Sequence, residues 1–352
     1  MDYATPVNHP IGKNGIYRHR LEKKDPAAAQ SEAKEPIIYY LDPGTPEPVR
    51  SALLEGASWW NQAFEAAGYI DAFQVKILPD DADPLDLRYN VIQWVHRSTR
   101  GWSYGSSVRD PRTGEIIKGH VSLGSLRIRQ DFMIAQALKA PYKSGEVSDD
   151  FALEMALARI RQLSAHEVGH TLGFSHNFAA STINRSSVMD YPHPWIKASG
   201  GDLDFSQAYA VGIGNWDKIT VKYAYGEFPG DEETELRNLL DQAFEEGHRY
   251  VTDADARPAG SSNVYAHLWD NGNDIVEELA NVMDVREIGN SNFSADNIRV
   301  DEPLTVLEDV FVPLYFYHRY QTEAVSKLIA GQEYGYRVRG GKQGPSKVLS
   351  AQ

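Results

Sequence analysis

The sequence predicts an α+β protein: a mixed, mostly parallel twisted sheet with one antiparallel edge strand packed on a long helix, then a mainly helical second half. Three observations predict it. Short β-branched and aromatic runs are separated by a helical pattern in the first hundred residues, as expected for parallel strands joined by a right-handed crossover. Two further strand patterns flank the turn sequence DPRTGE and read as a hairpin. Beyond residue 203 the apolar residues recur almost throughout at helical spacing.

Taken in order, residues 1–35 contain prolines, glycines and the run RLEKKDPAAAQSEAKEP. That composition reads as a loosely attached arm or linker. Residues 37–41 (IIYYL), bounded by Asp-Pro-Gly, are a strand. A helix is expected over 45–67, with Thr45 as N-cap, Gly68 as stop, and Val49, Leu53, Trp60 and Phe64 as its buried stripe. Strands follow at 73–78 and 91–96, and the hairpin spans 106–123. The next long helix is expected to open at Ser148, with Asp149 and Asp150 at its positive end. Leu153, Leu157, Ile160, Ser164 and Val168 would anchor it under the sheet. Residues 177–203 are rich in Ser, Gly, Pro and Asn and read as loop. Helical patterns return at 216–225, 232–247, 274–285 and 304–329. The expected division is therefore 1–35 arm, 36–176 upper subdomain and 177–352 lower subdomain.

Composition narrows the function. A content of 42% hydrophobic and 24% charged residues suits a globular protein with a sizeable core. The net charge of −14 argues against a nucleic-acid partner, whose phosphates it would repel. With no cysteine, no disulfide framework can form and no thiol from within the chain can block a metal. No apolar run reaches the roughly 18 residues of a membrane helix, and the N-terminus lacks the charged and apolar regions of a signal peptide.

The chemistry lies in HEVGHTLGFSH, residues 166–176. On a helix His166 and His170 project from one face, one turn apart. Glu167 follows the first histidine and can address a water on the metal without occupying the metal. Gly173 permits a positive φ, which ends the helix and brings His176 back. Three protein ligands with one open position are what a hydrolytic zinc site needs. Requiring the glycine and third histidine as well lowers chance matches roughly 400-fold. Glu167 is then the expected general base, zinc the expected cofactor and a peptide or protein the expected substrate. Two other readings share the motif: hydrolysis of a non-peptide amide or ester, and a non-catalytic interaction module built on structural zinc. His96 and His120 lack ligand spacing and read as structural. The acidic stretches DDADPLD and WDNGND miss EF-hand spacing and read as solvated turns rather than calcium sites.

The motif, with Met189 thirteen residues beyond His176 in SSVMDYP, resembles the extended signature of the metzincin metallopeptidases. More closely, IIYYLDPGTPEPVRSALLEGASWWNQAFEAAGY, NVIQWVHRSTRGWSYG, DPRTGEIIKGHVSLGSLRIRQD and HEVGHTLGFSHNFAAS resemble a family of large bacterial zinc-dependent metalloproteases, many secreted or surface-attached. The resemblance implies a metzincin-like fold and an excised catalytic portion of a longer protein acting outside the cytoplasm. It implies that Met189 forms an apolar floor beneath the metal, and that Tyr191 ligates zinc or supports the oxyanion. Residues 192–195 would wall the substrate pocket. An antiparallel strand, expected within 119–125, would pair with the substrate. Asn177 departs from the residue that marks several metzincin subfamilies, so no subfamily specificity carries over.

Overall fold

Five strands form the main sheet in the spatial order Phe73–Ile77, Ile37–Leu41, Asn90–Val95, Ile116–Gly124, Tyr104–Arg109. A computed structural model describes them within residues 3–12, 15–98, 101–143 and 147–350. Met1, Asp2, Thr99, Arg100, Ala351 and Gln352, which fall in stretches quoted above, lie outside the described residues. The first four strands in that order pair in parallel, and Tyr104–Arg109 runs antiparallel along Ile116–Gly124. The Ile37–Leu41 run sits inside the sheet, with Tyr39 and Leu41 fully buried. Its aromatic and branched side chains suit that place.

Two findings revise the expected elements here. Strand Ile116–Gly124 has partners on both sides, so among the described residues the sheet ends at Phe73–Ile77 and Tyr104–Arg109, and the antiparallel edge strand is Tyr104–Arg109 and not 119–125. The second arm of the hairpin runs parallel to Asn90–Val95 and takes the inner place, which leaves the first arm outside. The crossover helix begins at Val49, not at Thr45. Proline disfavours helical backbone in the residue before it, and Thr45 and Glu47 each precede one. The Thr45 hydroxyl donates to Asp42 O instead, at 2.9 Å. The crossover runs as Val49–Ser58 and Trp60–Ala66 and stops at Gly68, whose φ is +91°.

The long helix spans Asp150–Thr171 and packs under Ile116–Gly124 and Tyr104–Arg109. Neither Ser148 nor Asp149 caps it through a side chain. The Asp149 carboxylate instead accepts from Tyr142 Oη and Arg299. Leu157, Ile160, Ser164 and Val168 are buried as expected, but Leu153 is 37% exposed. Toward its end the helix is enclosed on nearly every side, with Arg159 and Gln162 also buried.

From His19 onward the arm is packed rather than loose, while the described residues before it are almost all exposed. Leu21 and Ala33 join the main core, Ser31–Glu32 pairs with Tyr69–Ile70, and Ile116 N donates to Arg18 O at 2.8 Å. The second half is helical, with Asn215–Tyr225, Glu232–Glu245, Ile275–Asn292, Val306–Tyr315 and Arg319–Ser326. The last two replace one expected helix; Pro313 removes a backbone donor near the break. An unexpected helix, Leu126–Leu138, packs between the active-site helix and Val306–Tyr315, and its Ala135 and Leu138 seed a second core with Met155, Val285 and Leu314. Among the described residues no helix is long and apolar enough to cross a membrane.

Candidate metal centre

Helix Asp150–Thr171 delivers the first two imidazoles, one turn apart. Just past its end Gly173 takes φ +103°. A Cβ there would also stand 2.1 Å from the carbonyl oxygen of Tyr17. The turn and the approach of the arm both demand glycine. The chain then returns with His176.

The three side chains converge. His170 Nε2 lies 3.2 Å from His166 Nε2 and 3.1 Å from His176 Nε2. Each Nδ1 faces an oxygen: Val188 O at 2.7 Å, Phe174 O at 2.9 Å and Asp253 Oδ2 at 2.8 Å, for His166, His170 and His176 in turn. Each Nδ1 therefore carries the proton and donates it, which leaves every Nε2 lone pair pointing inward. Burial holds His166 far below the usual histidine range, His170 down at about 4, and His176 lowered less because Asp253 opposes the shift. All three rings are neutral at pH 7. Facing lone pairs repel one another, and a cation that favours nitrogen relieves that repulsion, so the donor set fits zinc. His96 and His120 do not join the cluster.

Glu167 is only 5% exposed. Burial pushes its carboxyl up to about 8, against the pull of Arg159 and of the Gly105 backbone on the edge strand. The helix at Glu167 and the Tyr104–Arg109 strand are in direct contact, since a Cβ on Gly105 would stand 2.2 Å from the Glu167 carbonyl oxygen.

Met189 is buried beneath the helix. Gly169, inside the motif, makes room for it: a Cβ there would meet Met189 Sδ at 2.3 Å and the Trp60 ring at 2.6 Å. The methionine turn is pinned from below by buried Asp217, which accepts from Ser187 Oγ at 2.6 Å, Val188 N at 2.9 Å and Gly214 N at 2.9 Å. Because Val188 O holds His166, Asp217 orients a ligand through the turn.

Tyr191 lies against the triad, its ring 4.7 Å from His176 and 5.3 Å from His166. Its hydroxyl accepts from Arg257 Nη2 at 2.9 Å, and Trp269 covers its ring at 5.0 Å. Arg257 also pairs with Asp253, four residues earlier. Sequence reasoning missed Asp253, Arg257 and Asp217. An i, i+4 acid–base pair in DADAR was the one local signal, and nothing local tied it to a histidine 77 residues away. Asn177 serves the backbone: its Nδ2 donates to Arg249 O at 2.8 Å, and its Oδ1 accepts from Val251 N at 3.2 Å.

One of the two acidic stretches is not a solvated turn. Asp80 and Asp81 are exposed, but Asp270 is 4% exposed and Asn271 fully buried. A separate cavity of about 580 Å³ is lined by Phe174, Ser175, Met189, Trp216, Tyr250 and Tyr336 rather than by the three histidines.

A family model described as Met-zincin matches residues 148–352, from the start of the active-site helix to the end of the chain. No curated protein and no solved structure matches the chain.

Proposed function

The chain belongs to the Met-zincin family, and from that premise we propose that it is a zinc-dependent endopeptidase with Glu167 as general base. The observation that carries this reading is the contact set of Glu167. Its buried carboxyl follows the first histidine of a three-histidine cluster, and its helix packs against the antiparallel edge strand of the main sheet.

His166, His170 and His176 would hold the metal. Zinc, when bound, polarises a carbonyl and lowers the pKa of its water to about 7. The chain's own groups do the rest. Tyr104–Arg109 takes the substrate as an added strand, fixing the scissile bond through main-chain hydrogen bonds. Glu167 accepts a proton from the attacking water and delivers it to the leaving amine. Its raised proton affinity suits a group that must take and then release one. Tyr191, its hydroxyl oriented by Arg257, supports the developing oxyanion.

The test is a mass-spectrometric digest of a diverse peptide library, run with the parent chain and with Glu167→Ala at matched zinc content. Cleavage is expected with the parent and at least about 100-fold less with the variant. Identical digests would sink the proposal.

A further inference from the structure

The stretch WDNGND is drawn inward by main-chain contacts to the segment that follows Met189. Trp269 N donates to Tyr191 O at 2.8 Å, Asp270 pairs with Pro192, and Asn271 Nδ2 donates to His193 O at 2.8 Å. This register sets Asp270 close to Asp190, and both are at least nine-tenths buried. Between them lies a cavity of about 30 Å³ whose lining includes Ser181, Asp190, Asp270 and Asn271.

Two oxygens in that lining have no partner. Asp270 Oδ1 and Asn271 Oδ1 are buried without a hydrogen bond among the described residues. The amide of Asn271 cannot be turned to cure this, because its nitrogen is already given to His193 O. An orphaned buried acceptor costs the full desolvation of that group. The surrounding charge makes matters worse. Asp270 also feels Glu278; Ser181 and Lys327 oppose this, but the Lys327 Nζ already donates to Ala256 O and Ala266 O. Arg185 lines the cavity too, but its guanidinium donates to Gln207 O and lies over the Trp195 ring.

The geometry points to a second metal site here: a buried, oxygen-lined site for a hard divalent cation of the calcium class, built by Asp190, Asp270, Asn271 and Ser181. Calcium accepts irregular sets of carboxylate, amide and hydroxyl oxygens, whereas magnesium demands near-octahedral geometry and zinc prefers nitrogen or sulfur. One dication answers both orphaned oxygens and both carboxylates. A water would answer only the orphans; a proton on Asp270 would cancel one charge and turn one orphan into a donor, but it would leave the Asp190 carboxylate buried and charged. The occupied site would clamp residues 269–272 onto 190–193, and with them the Trp269 ring onto Tyr191.

The test uses the zinc-loaded chain of residues 1–352 in calcium-free buffer. Terbium chloride is titrated first, with emission excited through tryptophan because Trp269 adjoins the site; calcium chloride then competes, and melting temperature is recorded with calcium and with magnesium. Expected are saturable terbium emission displaced by calcium, and an upward shift of a few degrees with calcium but not magnesium. Asp270→Asn removes a like charge, so it should melt no lower than the parent without calcium while losing both responses. The proposal is overturned by the absence of terbium emission and of any shift up to millimolar calcium. It is equally overturned by equal shifts with both cations, or by responses that survive in Asp270→Asn. If that variant does not fold, the calcium-against-magnesium comparison on the parent decides alone.

Discussion

His166 and His170 stand on a helix enclosed by the sheet, the crossover helices and the methionine turn, so their spacing is fixed by a rigid element. His176 stands on a loop. Its position depends on Gly173, on Asn177 reaching 72 residues forward to Arg249, and on Asp253 reaching back across 77. The difference teaches where each kind of control resides. A helix supplies spacing that nearby substitutions hardly alter, while a loop ligand is set by groups that can be changed one at a time.

The strongest way to break this comparison is His170→Ala. Zinc content measured by elemental analysis should fall from about one equivalent to near none; retained zinc at unchanged affinity would show that the triad is not the site. Next, Asp217→Ala leaves Ser187 Oγ and the N–H groups of Val188 and Gly214 buried without their acceptor. A loss of about 3 kcal/mol in urea unfolding is expected, and a loss below about 1 kcal/mol would mean the methionine turn holds without it. Asp253→Ala should keep all three ligands yet weaken zinc about 10- to 100-fold in a chelator competition. An effect as large as that of His170→Ala would erase the distinction between holding the metal and orienting its ligand. The smallest effect sharpens the view of the helix. Leu153→Ala, at the half-open start, should change stability by no more than about 0.5 kcal/mol, while Leu157→Ala in the core should lower it by about 2–5 kcal/mol. Equal losses on thermal unfolding would show that the helix is enclosed from its first turn.

Much of this site was legible in the residues because its geometry is local. The i, i+4 spacing of His166 and His170, the positive φ of Gly173 and the return of His176 all lie within eleven residues. The strands Ile37–Leu41, Phe73–Ile77 and Asn90–Val95 were legible for the same reason, since alternation and bounding turns are local signals. What failed was pairing. Which arm of the hairpin becomes the edge strand is decided by its parallel neighbour, and whether WDNGND meets water is decided by residues 190–193.

The sequence by itself determined the three-histidine cluster, the glutamate beside it, the crossover sheet and the helical character of the second half, because hydrogen-bond period and side-chain spacing act over a few residues. Only the tertiary structure decided that Tyr104–Arg109 meets Glu167, that Asp253 and Asp217 orient the ligands, and that Asp270 faces Asp190. Those contacts join segments up to 80 residues apart. The contacts of Asp253 and Asp217 form because buried polar groups must find partners wherever the packed core places them, whereas Asp270 is set beside Asp190 by the main-chain pairing of its segment.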